Sequence, residues 1–234
     1  GLDAVIDGHD HHVIEEQLVN NKEGKPVLLT SSGTNFQYVG QLTINTDGSV
    51  QSSLIDITNG NMNADNETLQ FVEQLKKEVS GKGNFVIGHS DVDLMIYDSE
   101  GNRIVRKQET NIGDFCADAL RSFTDADIAM VNGGGIRTNI KRGEILFNDL
   151  YNVMPFGDMI ATGTFYGEQL LDVLEFAVSA LPTEAGTFMQ VSGLRFTVDP
   201  DIPSPVMKDT ETGMFSHVGE GERRVSHVEI LDKQ

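Results

Sequence analysis

The sequence of 234 residues predicts an α+β fold of mixed α/β character: a β-rich first segment, a connecting helix and a second segment built on a mixed sheet. Three observations predict it. Residues 25–58 consist of short alternating runs punctuated by Asn, Asp and Gly, the pattern of hairpins. Residues 67–79 carry a partial apolar stripe at helical spacing among charged positions. From Asn84 onward, strand-like and helix-like runs follow one another.

Taken in order, Leu2–Asp7 reads as a short buried strand that runs into Gly8-His9-Asp10-His11-His12. Glu15–Glu23 is polar and reads as a loop. Lys25–Ser32 is a strand, Gly33-Thr34-Asn35 a turn, Tyr38–Ile44 an alternating strand and Asn45–Gly48 a turn. Val50–Thr58 is a further strand, ending at Asn59-Gly60-Asn61. Asn63–Glu67 opens a helix in which Leu69, Phe71, Val72, Leu75 and Val79 form a stripe expected to pack, and Ser80-Gly81-Lys82-Gly83 stops it. This helix divides the chain into expected regions 1–62, 63–83 and 84–234.

In the second segment, Asn84–Gly88 reads as a strand, His89 as a loop histidine and Asp98–Arg103 as a surface turn. A helix follows, capped by Thr110 or Asn111, with Ile112, Phe115, Cys116, Ala119 and Leu120 as its buried face. Asp127–Met130 is a buried strand. Asn148–Val153 is a short helix that ends at Met154-Pro155-Phe156-Gly157, where Pro155 fixes φ and holds Met154 extended. Ile160–Phe165 reads as a strand and Gly167–Ala180 as a helix. Phe188–Val198 is a strand pair or one bent strand with Gly193 at the bulge. Pro200–Gly221 reads as loop and Arg223–Leu231 as a closing strand.

The net charge is −19 and no stretch is basic. That balance speaks against a nucleic-acid duplex or an anionic membrane surface as a main partner, and with no apolar run long enough to span a bilayer, no direct membrane insertion is expected. An anionic ligand would need focused arginines, backbone N–H groups or a metal. Cys116 is the only cysteine, so no internal disulfide is available; its apolar setting predicts a buried thiol. No run is long enough to span a membrane, and Gly1 starts directly on a strand-like run without the shape of a signal peptide. The chain therefore reads as cut from something longer.

Four places carry candidate chemistry. Val131-Asn132-Gly133-Gly134-Gly135-Ile136-Arg137 follows a strand; its glycines bare the backbone, Asn132 offers amide donors and an acceptor, and Arg137 offers a fork of donors. The alternative is a tight turn ending in a solvated arginine. His9 and His11 sit at i and i+2 after a strand-ending glycine, a spacing suited to aiming two nitrogens at a metal, or to an exposed polar turn. Arg106 precedes a helix N-terminus and is placed either to meet an anion or to pair with Glu109. Phe156 stands on a stiff turn as core or as a stacking face for a base.

Glu109-Thr110-Asn111-Ile112-Gly113, Asn132-Gly133-Gly134-Gly135-Ile136-Arg137, Pro155-Phe156-Gly157 and Gln190-Val191-Ser192-Gly193, in this order and spacing, resemble the C-terminal domain of the secreted 5′-nucleotidase family. That family includes UDP-sugar hydrolases and 2′,3′-cyclic-nucleotide phosphodiesterases. Gly8-His9-Asp10-His11 resembles the last metal motif of the family's calcineurin-like metallophosphoesterase domain, and Pro26–Ile44 its closing strands. The resemblance implies that residues 1–62 are the end of that domain, 63–83 the connector and 84–234 most of the C-terminal domain. It implies His9 and His11 as ligands of a centre of two divalent ions (Zn, Mn, Mg or Co). It implies Arg106, Asn132, Gly134, Gly135 and Arg137 as the nucleoside-binding edge, and Phe156 as one face of a base clamp. The remaining metal motifs, the catalytic dyad and the second aromatic of the clamp have no match in this sequence. The chain is thus expected to hold no catalytic residue, to lack phosphatase activity alone, and to derive from an extracellular, periplasmic or cell-wall protein. The rival expectations are a non-catalytic nucleotide- or sugar-binding module of a cell-surface protein, and an adhesion protein.

Overall fold

The computed structural model describes residues 2–60 and 63–231; Asn61 of the expected turn and the boundary at residue 62 lie outside the described residues. Contacts divide the chain into two compact units, Gly1–Lys77 and Glu78–Gln234.

The first unit holds a three-stranded sheet and a hairpin. Strand β1 (Ala4–Ile6) lies parallel to β3 (Pro26–Ser32), and β2 (Val13–Asn20) lies antiparallel to its other edge. The β2 strand corrects the loop expected at Glu15–Glu23. Its glutamates are compatible with a strand because the ladder is bulged between Ile14 and Gln17 and the carboxylates find amides. Thr30 Oγ1 donates to the Ile14 and Glu15 carbonyls at 3.0 Å each, and Leu54 N donates to Glu15 Oε1 at 3.3 Å. Strands β4 (Tyr38–Ile44) and β5 (Val50–Asp56) form the expected hairpin. Val27, Leu28, Thr30 and Ser31 on β3 are the buried centre of this unit.

Helix α1 spans Asn66–Gly83, so it runs through the glycines expected to stop it. Its stripe is exposed rather than packed: Leu69, Phe71, Val72, Leu75 and Val79 are each more than a third accessible. The stripe is narrow, with Glu73, Lys76 and Lys77 interleaved, so it offers little continuous apolar area.

The second unit places β6 (Val86–Ser90) antiparallel to β8 (Gly143–Leu146), and β7 (Ala129–Asn132) antiparallel to β9 (Met189–Ser192). His89 is therefore a strand residue opposite Glu144, not a loop residue. Helix α2 (Asn111–Thr124) is capped by Thr110, whose Oγ1 accepts from Gly113 N at 3.1 Å. Its buried face is Ile112, Gly113, Cys116 and Ala117; Phe115 and Ala119, expected inside, are exposed. The face is rotated because Gly113 and Ala117, too small to register as an apolar signal, are where the helix comes closest to its neighbours. Burial pushes the Cys116 thiol up to about 11.

Helices α3 (Phe147–Val153) and α4 (Gly167–Ala177) follow. Gly193 divides β9 from β10 (Leu194–Val198) at φ +76°, where a Cβ would lie 2.3 Å from the Asp127 carbonyl. Strand β10 pairs with β13 (Val225–Ile230). The region expected as loop between them contains a hairpin of β11 (Val206–Lys208) and β12 (Phe215–Val218), short strands hidden by turn-forming residues on either side. One apolar cluster gathers Val105, Ile112, Val131, Ile136 and Val153; a second gathers Leu170, Leu174, Val178, Phe188 and Val225. Beside the second, buried Glu175 accepts from the Arg224 and Val225 amides at 3.0 and 3.1 Å. The Arg224 guanidinium donates to the Val178, Ser179 and Leu181 carbonyls after α4, which satisfies the carbonyls a helix end leaves free.

The strand expected at Ile160–Phe165 does not form. Among the described residues, no backbone hydrogen bond engages residues 158–165. Met159, Phe165 and Tyr166 are 93%, 64% and 82% accessible. The alternation is present, but a strand exists only with a ladder partner. Amides of residues 158–165 are expected to exchange with deuterium at least about a hundredfold faster than those of β7 and β9; equal protection in mass-spectrometric exchange would contradict this.

Candidate functional site

The site begins where β7 ends. Asn132 is its last residue, and the glycine run leaves the sheet from there. Gly133 N donates to the Phe188 carbonyl at 2.6 Å and Gly134 N to the Gly186 carbonyl at 3.0 Å. Asn132 Nδ2 also reaches the Gly186 carbonyl, at 3.2 Å, which leaves its Oδ1 and second N–H unspent. None of the three glycines has a positive φ. Their need for a missing side chain is instead one of approach. A Cβ on Gly133 would lie 2.1 Å from the Val105 carbonyl, and one on Gly134 would lie 2.9 Å from Gly186 Cα. So the bare backbone admits other segments of this chain, 105–106 on one side and 186 on the other.

Those segments bring Arg106. Ala185 N donates to the Arg106 carbonyl at 3.1 Å, so the strip 185–188 is stitched both to Arg106 and to the glycine run. The expected alternative, a surface pair with Glu109, is not formed; Arg106 Nε is buried and has no hydrogen-bond partner. Burial and then the charges of Arg103 and Arg137 hold the Arg106 guanidinium below the usual arginine range, partly offset by Glu184. A half-buried cation with a free donor, beside other cations, is a place where an acceptor oxygen gains.

Arg137 closes the glycine run. Its amide donates to the Val153 carbonyl at 2.8 Å, which ties the run to the end of α3, and its Nη1 donates to the Gly134 carbonyl at 3.1 Å. The turn after α3 presents Phe156, which is 61% accessible and therefore not core. The Arg137 guanidinium stands 5.6 Å from the Phe156 ring centroid, a cation–π distance. Arg106, the stretch Asn132–Arg137 with Gly134 and Gly135, and Phe156, three places far apart in sequence, are thus connected by backbone and side-chain hydrogen bonds and one cation–π contact.

Sequence reasoning undervalued what holds them. The buried Gln190 amide uses its full capacity: Oε1 accepts from Thr110 N at 3.1 Å and Thr110 Oγ1 at 3.4 Å, and Nε2 donates to the Val105 and Gln108 carbonyls at 2.9 and 2.7 Å. Gly113 is glycine because a Cβ would lie 2.1 Å from Gln190 Oε1. Asn111 staples the same helix start to the chain before it, accepting from Met95 N at 2.9 Å and donating to the Asp93 carbonyl at 2.8 Å. Glu184 and Gly186 carried no sequence signal beyond a polar turn. A cavity of about 340 Å³ lies along Lys107, Glu109, Leu181, Val191 and Phe196, but its lining includes none of the site residues, and its walls are largely apolar.

His9 and His11 lie in the first unit, exposed, each with left-handed backbone (φ +63° and +62°). That conformation is unfavourable for a residue with a Cβ, and it turns a loop sharply. Among the described residues, no group of three His, Cys, Asp or Glu is placed to hold a metal. Two imidazoles do not complete a divalent centre, so the residues present do not fit a closed metal site.

Residues 86–233 match the family model described as 5′-nucleotidase, C-terminal domain. The trifunctional nucleotide phosphoesterase protein YfkN of Bacillus subtilis is 32% identical over 209 residues, covering 84% of this chain and 14% of that protein. A 5′-nucleotidase of Vibrio parahaemolyticus is 31% identical over 159 residues, covering 68% of this chain and 27% of that one. Among solved structures, the 5′-nucleotidase precursor of Thermus thermophilus aligns with TM-score 0.62 at 25% identity, covering 95% of this chain and 48% of its own. The chain thus spans about half of that solved relative and a smaller share of the curated ones.

Electrostatics near the site give a measurable signature. On α2, burial and then the Glu109 and Asp118 carboxylates push Asp114 up from the ordinary 3.8 to about 6. Between those values the folded chain holds a proton that the unfolded chain has released, so the stability linked to Asp114 is full below pH 3.8 and is lost as pH rises through about 6. Asp114→Asn is therefore expected to raise the melting temperature near pH 7.5 and to leave it unchanged near pH 3.5. A thermal-melt series in which the variant's gain is independent of pH would contradict this.

Proposed function

The chain belongs to the 5′-nucleotidase family through its C-terminal domain, and on that premise we propose that residues 84–234 recognise the nucleoside part of a nucleotide whose phosphate ester the whole protein hydrolyses. The observation that carries this reading is the Arg137–Phe156 pair: an exposed ring with a guanidinium 5.6 Å from its centroid, linked to Asn132 and Arg106 by side-chain and backbone hydrogen bonds through Gly134, Ala185 and Gly186. An exposed phenylalanine offers a base a stacking face. The free Asn132 groups and the Arg137 fork offer donors to ribose and neighbouring oxygens, and Arg106 adds a half-buried positive charge beside them. The glycine run supports the site by letting segments 105–106 and 186 approach.

In this reading 5′-nucleotides are the substrate class, with UDP-sugars as the nearer extension of it and 2′,3′-cyclic nucleotides, whose phosphate sits on the ribose hydroxyls, as the poorer one, and the parent protein works outside the cytoplasm. His9 and His11 would hold part of a divalent centre, whose chemistry when bound would be polarisation of the phosphate and activation of water. Two imidazoles by themselves do not hold the ion. The same fact supports a narrower alternative for this chain: nucleotide binding without cleavage.

Isothermal titration in EDTA tests the reading. The 234-residue chain is expected to bind adenosine and AMP without metal and to show negligible phosphate release with added Mn²⁺. Phe156→Ala is expected to weaken both ligands about tenfold, from lost stacking of roughly 1–3 kcal/mol. No binding by the folded wild-type chain, or Phe156→Ala binding as wild type does, would contradict it.

A further inference from the structure

Arg103 ends the turn before Arg106, and its Nε and Nη2 both donate to Glu184 Oε2, at 2.8 and 2.5 Å. The two side chains are only 38% and 30% accessible, so solvent screens this pair less than a surface one. Glu184 also opens the strip that assembles the site. The next residue, Ala185, donates to the Arg106 carbonyl, and the Gly186 carbonyl takes Gly134 N and Asn132 Nδ2. Bonded to Arg103 three residues before Arg106, and next in sequence to the Ala185 amide that bonds the Arg106 carbonyl, Glu184 is held near Arg106 and opposes the charges of Arg103 and Arg137 there.

We propose that Glu184 is a specificity-determining residue: by occupying Arg103 and placing a carboxylate beside Arg106, it suits the site to neutral ribose hydroxyls and disfavours a phosphate on the ribose 2′ or 3′ oxygen. This rests on the nucleoside-recognition reading above. With Glu184 present, the Nε and Nη2 donors of Arg103 are taken, and a phosphate approaching Arg106 meets a like charge. Removing the carboxylate charge releases Arg103 and leaves three guanidinium groups with no opposing acid from this strip. Removing Arg103 does the reverse, because Glu184 then faces Arg106 with its charge unshared.

The test is titration of the 234-residue chain with adenosine and with 3′-AMP, at low salt and at high salt. Glu184→Gln is expected to leave adenosine affinity within about twofold and to tighten 3′-AMP about tenfold, a gain that shrinks with added salt. Glu184→Asp, which keeps the charge, retains the wild-type ratio of the two affinities. Arg103→Gln moves that ratio the opposite way, against 3′-AMP, and decides the matter if Glu184→Gln fails to fold by circular dichroism. Equal changes for both ligands in Glu184→Gln, or shifts in the same direction for Glu184→Gln and Arg103→Gln, would overturn the proposal by reducing Glu184 to a structural role. A wild-type chain that binds neither ligand would overturn the nucleoside reading itself, an outcome distinct from equal shifts.

Discussion

The second unit depends on one buried amide. Gln190 leaves β9 and fixes three things at once: the N-cap of α2, the turn that carries Arg106, and the separation between them. A buried amide with every donor and acceptor engaged has a single low-energy pose, whereas a partly engaged one costs the desolvation of each idle group. Because β9 pairs with β7, the same strand that positions Arg106 through Gln190 also aligns Asn132 opposite Met189. The glycine run then fits only because Val105 is held where Gly133 can meet its carbonyl. Site geometry is thus a consequence of hydrogen-bond satisfaction in the interior.

This recasts the motifs on which the family resemblance rests. Much of their content is architectural. Thr110 caps, Asn111 staples, Gly113 clears room for Gln190, and Gly193 turns the chain at φ +76°. Ser192 donates to Asp118 across the α2–β9 contact at 2.5 Å. The residues left facing outward, Asn132, Arg137 and Phe156, are few, and they sit at the ends of elements that these contacts lock. In a chain of net charge −19 these residues form a small cationic focus against an acidic overall field.

The hairpin at 38–56, α2 with its Thr110 cap, and the strand pair about Gly193 were legible in the sequence because each is specified locally, by alternation, a capping residue or a turn glycine. The errors share a cause. Glu15–Glu23 looked like loop because its carboxylates are satisfied by amides of another strand, from Ser52 and Leu54, which no local pattern reveals. Ile160–Phe165 looked like strand because alternation describes a strand's faces and says nothing of its partner. Arg106, Asn132, Arg137 and Phe156 could be picked out by residue type. That Arg106 lacks a partner for Nε, and that Glu184 tempers it, depends on contacts eighty residues apart or nearly so and emerged only from the fold.

Arg106, Arg137 and the glycine run are proposed to form one ligand-facing edge. This is tested most directly by nuclear magnetic resonance of the backbone amides and arginine Nε–H groups during titration with adenosine. The account predicts that the Nε–H signals of Arg106 and Arg137 and the amides of Gly133–Gly135 shift together along one saturation curve, while those of His9 and His11 stay still. Saturable binding that leaves the Arg106 and Arg137 signals unmoved, with shifts gathered elsewhere in the chain, would contradict it.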